Sequence, residues 1–248
     1  MQGIVLLAVF LIGVVASFYG VTVGSGGLVS ISGLIFLGLS PQVAIATNRL
    51  AALGLISAGL YRFNQAKKVN YKLGFSLTLT TLIGSVVGAN LLIQISEGLL
   101  EKIVGGLILV MLTVLLFKKE LGIKAKLKEL TVSRKILGYF FSLLIGVYIG
   151  FFGGGWSTLF SYLLILVFGQ TFLESAGTRK IVGLFASLAA LTVFVLNQKV
   201  NYLYGLTMFT GMALGSYLGA SYALKKGNLW VKRLFIIVVF LSALKLMF

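Results

Sequence analysis

Gln2–Val23 is an unbroken apolar stretch, and seven more of similar character follow, at residues 41–61, 73–95, 99–117, 136–152, 171–196, 202–224 and 229–248. A bilayer core of about 30 Å requires roughly 20 such residues per helix. Composition agrees: 59% of the 248 residues are hydrophobic and 10% charged, where a soluble domain has about 45–50% and 25%. The mean hydropathy is +1.08. The fold class expected is therefore an all-α, polytopic membrane protein. The first stretch begins without a basic leader region or a small-residue cleavage site, so it reads as a mature span rather than a signal peptide. Residues 118–135 are the one polar linker of any length, and they divide the chain into residues 1–117 and 136–248.

Two stretches are too short to cross. Gly24-Ser25-Gly26-Gly27 precedes about a dozen apolar residues, and Gly153-Gly154-Gly155 precedes a run of similar length. Irregular backbone at membrane depth is tolerated where protein or water satisfies its polar groups. A half-helix starting after each glycine cluster would present free N–H groups and a positive dipole end. Each first segment is therefore expected to be broken by glycine, either re-entrant or discontinuous.

The two halves repeat one another. Lys68-Val69-Asn70-Tyr71 returns as Lys199-Val200-Asn201-Tyr202. Gly84-Ser85 and Gly88-Ala89 return as Gly215-Ser216 and Gly219-Ala220. Thr47-Asn48-Arg49 falls opposite Gly177-Thr178-Arg179, a reading that pairs Arg49 with Arg179. Gly84, Gly88, Gly215 and Gly219 form small-residue spacings suited to close helix packing.

Basic residues decide the relative orientation, because Lys and Arg concentrate in cytoplasmic loops. If each broken segment returns to the side it entered from, loops 62–72, 118–135, 179–180 and 225–233 share one side and hold 17 of the 21 basic residues. Only Arg49, Lys102, Lys199 and Lys245 fall opposite. If each broken segment crosses, the split is 13 to 8. The first arrangement makes the halves inverted repeats, each with a broken first segment and three transmembrane helices. Many secondary transporters follow that plan and hold substrate at half-helix N-termini.

The same residues resemble the TauE/SafE sulfite exporter family. The resemblance rests on GVTVGSGGLVSISGLIFLGLSP, AIATNRLAALGLISAGLYRF and VNY in the first half. GFFGGGWSTLF, AGTRKIVGLFASLAAL and KVNY carry it in the second. Many members have proline shortly after each glycine cluster, where this chain has Ser30 and Phe160. Many have Thr-Ser where it has Thr47-Asn48-Arg49 and Thr178-Arg179. The resemblance implies transport of sulfite, an organosulfonate or a related sulfur oxyanion across the cytoplasmic membrane. The expected partners are that small anion and the lipid bilayer; nucleic acid is not among them, and a homo-oligomer is compatible with the sequence.

Arg49 is the leading candidate for the site. It lies 13 residues before Arg62, about 20 Å along a helix, so it falls inside the membrane. An intramembrane charge is a functional candidate by default, and guanidinium binds oxyanions bidentately. Arg179 is the second candidate, with Lys180 and Glu174 beside it suggesting an interfacial cluster. Gly24, Gly26, Gly27, Gly153, Gly154 and Gly155 are candidates for an anion site made of half-helix amides. Thr47, Asn48 and Thr178 are placed to donate hydrogen bonds beside the arginines. Trp156, Tyr19 and Tyr148 suit either a cavity wall or packing.

The chain has no His, Cys or Asp, and its five acids are all Glu. Most zinc and iron sites, Ser-His and Cys-His nucleophiles and aspartyl dyads are thereby excluded. No enzyme activity, cofactor or metal is expected. Four of the glutamates fall at helix ends or in loops, and only Glu174 is placed to turn inward. Two alternatives to a transporter are compatible with the sequence: an anion channel and a non-transporting membrane scaffold subunit.

Overall fold

The structure, a computed structural model, describes residues 2–24, 26–92 and 131–247. The expected span at 99–117, most of the linker at 118–135, and Glu97, Glu101, Glu120 and Glu129 lie outside the described residues. Within them the protein is helical, without strands. The helices are α1 (Gln2–Val23), α2 (Gly26–Phe36), α3 (Pro41–Gln65), α4 (Tyr71–Leu92), α5 (Val132–Phe151), α6 (Trp156–Leu166), α7 (Phe172–Leu196) and α8 (Tyr202–Met247). Five of them, α1, α3, α4, α5 and α7, are long and apolar enough to cross a membrane. Gly227, at φ 81°, interrupts α8.

The outer surface is what lipid requires. Ile4, Leu7, Leu11, Val15 and Phe18 form an exposed stripe along α1, while Val9, Gly13, Ala16 and Gly20 face inward. A soluble protein does not expose apolar area on that scale. The protein is an integral, multi-pass membrane protein.

Small residues set the helix pairs. A Cβ on Gly84 would strike Leu143 and Val147 of α5, and one on Gly88 would strike Val147 and Phe151. In the other half, Gly215 meets Val14 and Ser17 of α1 in the same way, and Gly219 meets Phe18. These contacts give the sense of each helix. The first part of α8 runs parallel to α1, and α4 runs parallel to α5. Leu50 beside Gly205 and Phe209 beside Gly54 set α3 parallel to α8. Ile181 beside Gly74 and the Ala186 carbonyl bonded to Ser85 set α4 parallel to α7, whereas Lys180 beside Gly59 and Phe63 beside Gly177 set α3 against α7. Thus α1, α3 and the first part of α8 share one direction, and α4, α5 and α7 take the other.

The repeated motifs carry repeated bonds. Asn70 Oδ1 accepts from Leu73 N–H at 3.0 Å and caps α4; Asn201 Oδ1 accepts from Tyr204 N–H at 3.1 Å and caps α8. The two asparagines also cross between halves. The Asn70 N–H donates to Thr178 Oγ1 at 3.1 Å, and the Asn201 N–H to Thr47 Oγ1 at 3.0 Å. Ser85 donates to the Ala186 carbonyl at 2.6 Å, and Ser216 to the Leu55 carbonyl at 2.7 Å. Left-handed backbone recurs in step, at Gly24 and Gly155, Gly38 and Gly169, and Lys67 and Gln198. Every one of these pairs is 131 residues apart.

That constant spacing corrects one expectation. Thr47 corresponds to Thr178, so Asn48 corresponds to Arg179 and Arg49 to Lys180. The pairing of Arg49 with Arg179 is out by one residue. The physical reason is the pair of threonine hydroxyls, which accept equivalent N–H groups and admit no slip. Two residues separate α1 from α2 and four separate α5 from α6, so the second half carries two extra residues in its turn.

These crossing bonds lead to a prediction. Thr178→Val strands the Asn70 N–H and the Gln170 amide, which donates to the same hydroxyl at 3.0 Å. The expected loss is about 1–3 kcal/mol, read as a lower unfolding midpoint in detergent. Thr47→Val strands one donor and should cost less.

Candidate substrate site

The two glycine-broken turns meet at the centre. α2 and α6 are 11 residues each, about 16 Å long, half the thickness of a bilayer core. α2 folds back along α1, with Gly26 against Ala16 and Gly20, and Gly33 against Ile12. The first segment is thus a partial hairpin. Gly24 (φ 101°) and Gly155 (φ 77°) make the reversals, a region of φ that side chains with a Cβ seldom enter. A Cβ at Gly24 would also lie 2.6 Å from Ser157 Cβ, so the turns are in direct contact. Thr158 Oγ1 donates to the Val23 carbonyl at 3.1 Å and ties them together.

A cavity lies at this junction. Gly24, Gly26 and Gly27 enter it from the α1–α2 turn, Gly153 and Ser157 from the second turn, and Asn48, Arg49 and Lys180 from α3 and α7. The first-turn amides of α2 have no partner within their own helix, and its positive dipole end faces the same space. Ala52, Leu55, Ile56, Trp156 and Met212 complete an apolar wall.

Arg49 is 1% exposed. Its guanidinium lies over Gly153, where any Cβ would collide with it, and its Nη2 donates to the Ile149 carbonyl at the end of α5. Its Nε has no partner. Asn48 accepts from Ser30 Oγ at 2.6 Å through Oδ1, and its Nδ2 faces Gly27. That leaves donors of Asn48 and Arg49 directed at one cavity.

The remaining candidates sit elsewhere. Gly154 and Gly155 build the turn but do not line the cavity. Thr47 and Thr178 accept the backbone N–H groups of the opposite half's asparagines and do not line the cavity. Arg179 is fully buried, but it faces away from the cavity. It donates to Ser161 Oγ, to the Val21 carbonyl at 3.0 Å and to the Thr22 carbonyl at 2.7 Å. The bond from Arg179 to Ser161 is the counterpart of the bond between Asn48 and Ser30, one repeat removed. Trp156 lines the cavity and packs on Gly183; Tyr148 donates to the Gly154 carbonyl.

Glu174 does not turn inward. It closes a capping box with Thr171 at the start of α7, at 2.9 and 3.2 Å. The interfacial cluster expected around it is absent, because Lys180 is 1% exposed and lies on the cavity wall. Lys180 is the residue that sequence reasoning missed. The signal was available: the KVNY, Gly-Ser and Gly-Ala repeats all place it opposite Arg49.

Residues 9–246 match the family described as Sulfite exporter TauE/SafE. The chain is 31% identical over 248 residues to a "Probable membrane transporter protein" of Haemophilus influenzae, covering 99% of this chain and 96% of that one. It is 29% identical over 247 residues to the "Probable membrane transporter protein YfcA" of Escherichia coli K12, covering 96% and 88%. A "Probable membrane transporter protein ORF9" of Sinorhizobium is 28% identical over 244 residues, covering 96% and 90%. No solved structure matches the chain. With its full-length match, its apolar helices and its duplicated glycine-broken turns, the chain belongs to the TauE/SafE sulfite exporter family of membrane transporters.

Proposed function

We propose that the chain moves a small sulfur-containing anion (sulfite, an organosulfonate or a related oxyanion) out across the cytoplasmic membrane by alternating access. The observation that carries this reading is the meeting of Arg49, Asn48 and the first turn of α2 in one buried cavity. A guanidinium and helix-start amides are together suited to a tetrahedral or pyramidal oxyanion. The name of the family supports sulfur as the central atom.

Two inverted repeats supply the machinery in this reading. Its support is the opposite sense of α1 and α5, of α3 and α7, and of α4 and the first part of α8. Charge supports it as well. With Arg49, Arg179 and Lys180 removed as buried, 15 basic residues remain for one face and 3 for the other. The basic face is cytoplasmic by the positive-inside rule. A negative-inside potential favours outward movement of an anion by about 2.3 kcal/mol per charge per 100 mV. Export therefore needs no titratable relay.

The test is a thermal-shift screen with sulfite, thiosulfate, sulfoacetate, taurine and sulfate, followed by flux of any binder in proteoliposomes. A ligand of the folded form raises the unfolding midpoint with its concentration. Saturable flux driven by the anion's gradient is the expected result. Single-channel conductance would instead make the protein an anion channel, and no flux with a co-purifying protein would make it a scaffold subunit.

A further inference from the structure

Arg49 is not the only basic side chain in the cavity. Lys180 enters it from α7, and its stem runs over Gly59, where a Cβ would lie 3.0 Å from Lys180 Cε. No acceptor among the described residues takes a hydrogen bond from its ammonium. Glu174 is the only carboxylate among those residues, and it is committed to the α7 cap. Arg179 stands behind the site with Nη1 engaged by Ser161 and Nη2 by Val21 and Thr22. The cavity thus holds two buried basic side chains, one from each repeat, and no carboxylate among the described residues lies beside them. An unpaired charge away from water is expensive.

We propose that Lys180 is the second cation of the anion site and that it makes the site select doubly charged anions over singly charged ones. This rests on reading the cavity as the transport site. A monoanion bound at Arg49 leaves Lys180 uncompensated. A dianion satisfies both cations, and the low dielectric of the buried site enlarges the difference. The repeat offset of 131 places Lys180 at the position of Arg49 in the other half, so a two-fold-related pair of cations brackets one ligand.

The experiment compares matched anions that differ by one charge: sulfoacetate against ethanesulfonate, and sulfate against methyl sulfate. Affinities are read by thermal shift in detergent, and exchange by counterflow in proteoliposomes, for the wild type, Lys180→Met and Lys180→Arg. In at least one pair the wild type should favour the dianion by about tenfold or more. Lys180→Met should collapse that ratio toward one, and Lys180→Arg should keep it. Equal wild-type affinity for both members of each pair overturns the proposal. So does an equal fall of both members in Lys180→Met, which marks a structural role. If Lys180→Met does not fold, the wild-type ratio and Lys180→Arg decide. If the wild type binds none of the four anions, the reading of the cavity itself fails, which is a different result from binding without charge discrimination.

Discussion

Arg49→Ala is expected to abolish anion transport while the protein inserts and folds, and Arg179→Ala is expected to do the reverse, costing stability before it touches binding. Both arginines are buried, so burial alone does not separate them; their partners do. Arg49 gives one bond to Ile149 and turns the rest of its guanidinium toward the cavity. Its removal strands one carbonyl, a loss of roughly 1 kcal/mol, and relieves a buried charge. Two charge-assisted bonds to the ligand, at about 1.5–3 kcal/mol each, disappear with it, so affinity should fall about 100-fold or more. Arg179 holds three acceptors that link the end of α1 to α6. Alanine strands the Val21 and Thr22 carbonyls, takes a donor from Ser161 Oγ and leaves a void besides. Relief of one buried charge offsets part of this, and the net loss should be about 3 kcal/mol. Unfolding midpoints with and without ligand separate the two cases. Arg49→Ala should unfold near the wild-type midpoint without ligand and show no ligand shift. Arg179→Ala should unfold lower in both conditions. A ligand shift that survives intact in Arg49→Ala removes Arg49 from the site.

The second large effect concerns glycine. Gly88→Ala and Gly219→Ala should each destabilise the protein by about 3 kcal/mol or more, at the upper end of overpacking costs. The new methyl of Gly88→Ala falls on the Val147 carbonyl and within 2.8 Å of the Phe151 amide. In Gly219→Ala it falls on the Phe18 carbonyl. These are backbone atoms of a neighbouring helix, and they cannot rotate aside. Alanine gains up to about 1 kcal/mol of helix propensity over glycine, too little to offset a forced separation of α4 from α5 or of α1 from α8. Gly3→Ala is the control, because nothing lies within 4 Å of its new Cβ. Size-exclusion profiles and thermal midpoints in detergent should show loss of monodisperse protein for the first two and no loss for the third. Wild-type behaviour in Gly88→Ala would mean that α4 and α5 pack less closely than described.

Much of the candidate site is legible in the sequence. Arg49 stood out because no loop accounted for it, and the glycine clusters because a half-length apolar run follows each. Asn48 followed as its neighbour. What misled was the short Thr-x-Arg likeness between the halves. It pairs guanidinium with guanidinium, whereas the longer set of repeats pairs Arg49 with Lys180. Charge counting then assigned Lys180 to a loop, since one-dimensional position cannot distinguish the first turns of a buried helix from an interface. Glu174 went astray for a related reason: a carboxylate three residues after Thr171 reads equally as inward-facing or as a cap.

Apolar run length, glycine position, charge asymmetry and an internal repeat are properties of the chain itself. They determined that this protein spans a membrane, that it is duplicated, and that each half opens with a broken segment. Which buried cation faces the cavity and which clamps the fold was decided only by tertiary structure. Arg179 and Lys180 are adjacent in sequence and equally buried, but successive helix positions point about 100° apart. One therefore meets the carbonyls of α1 and the other meets the cavity shared with Arg49.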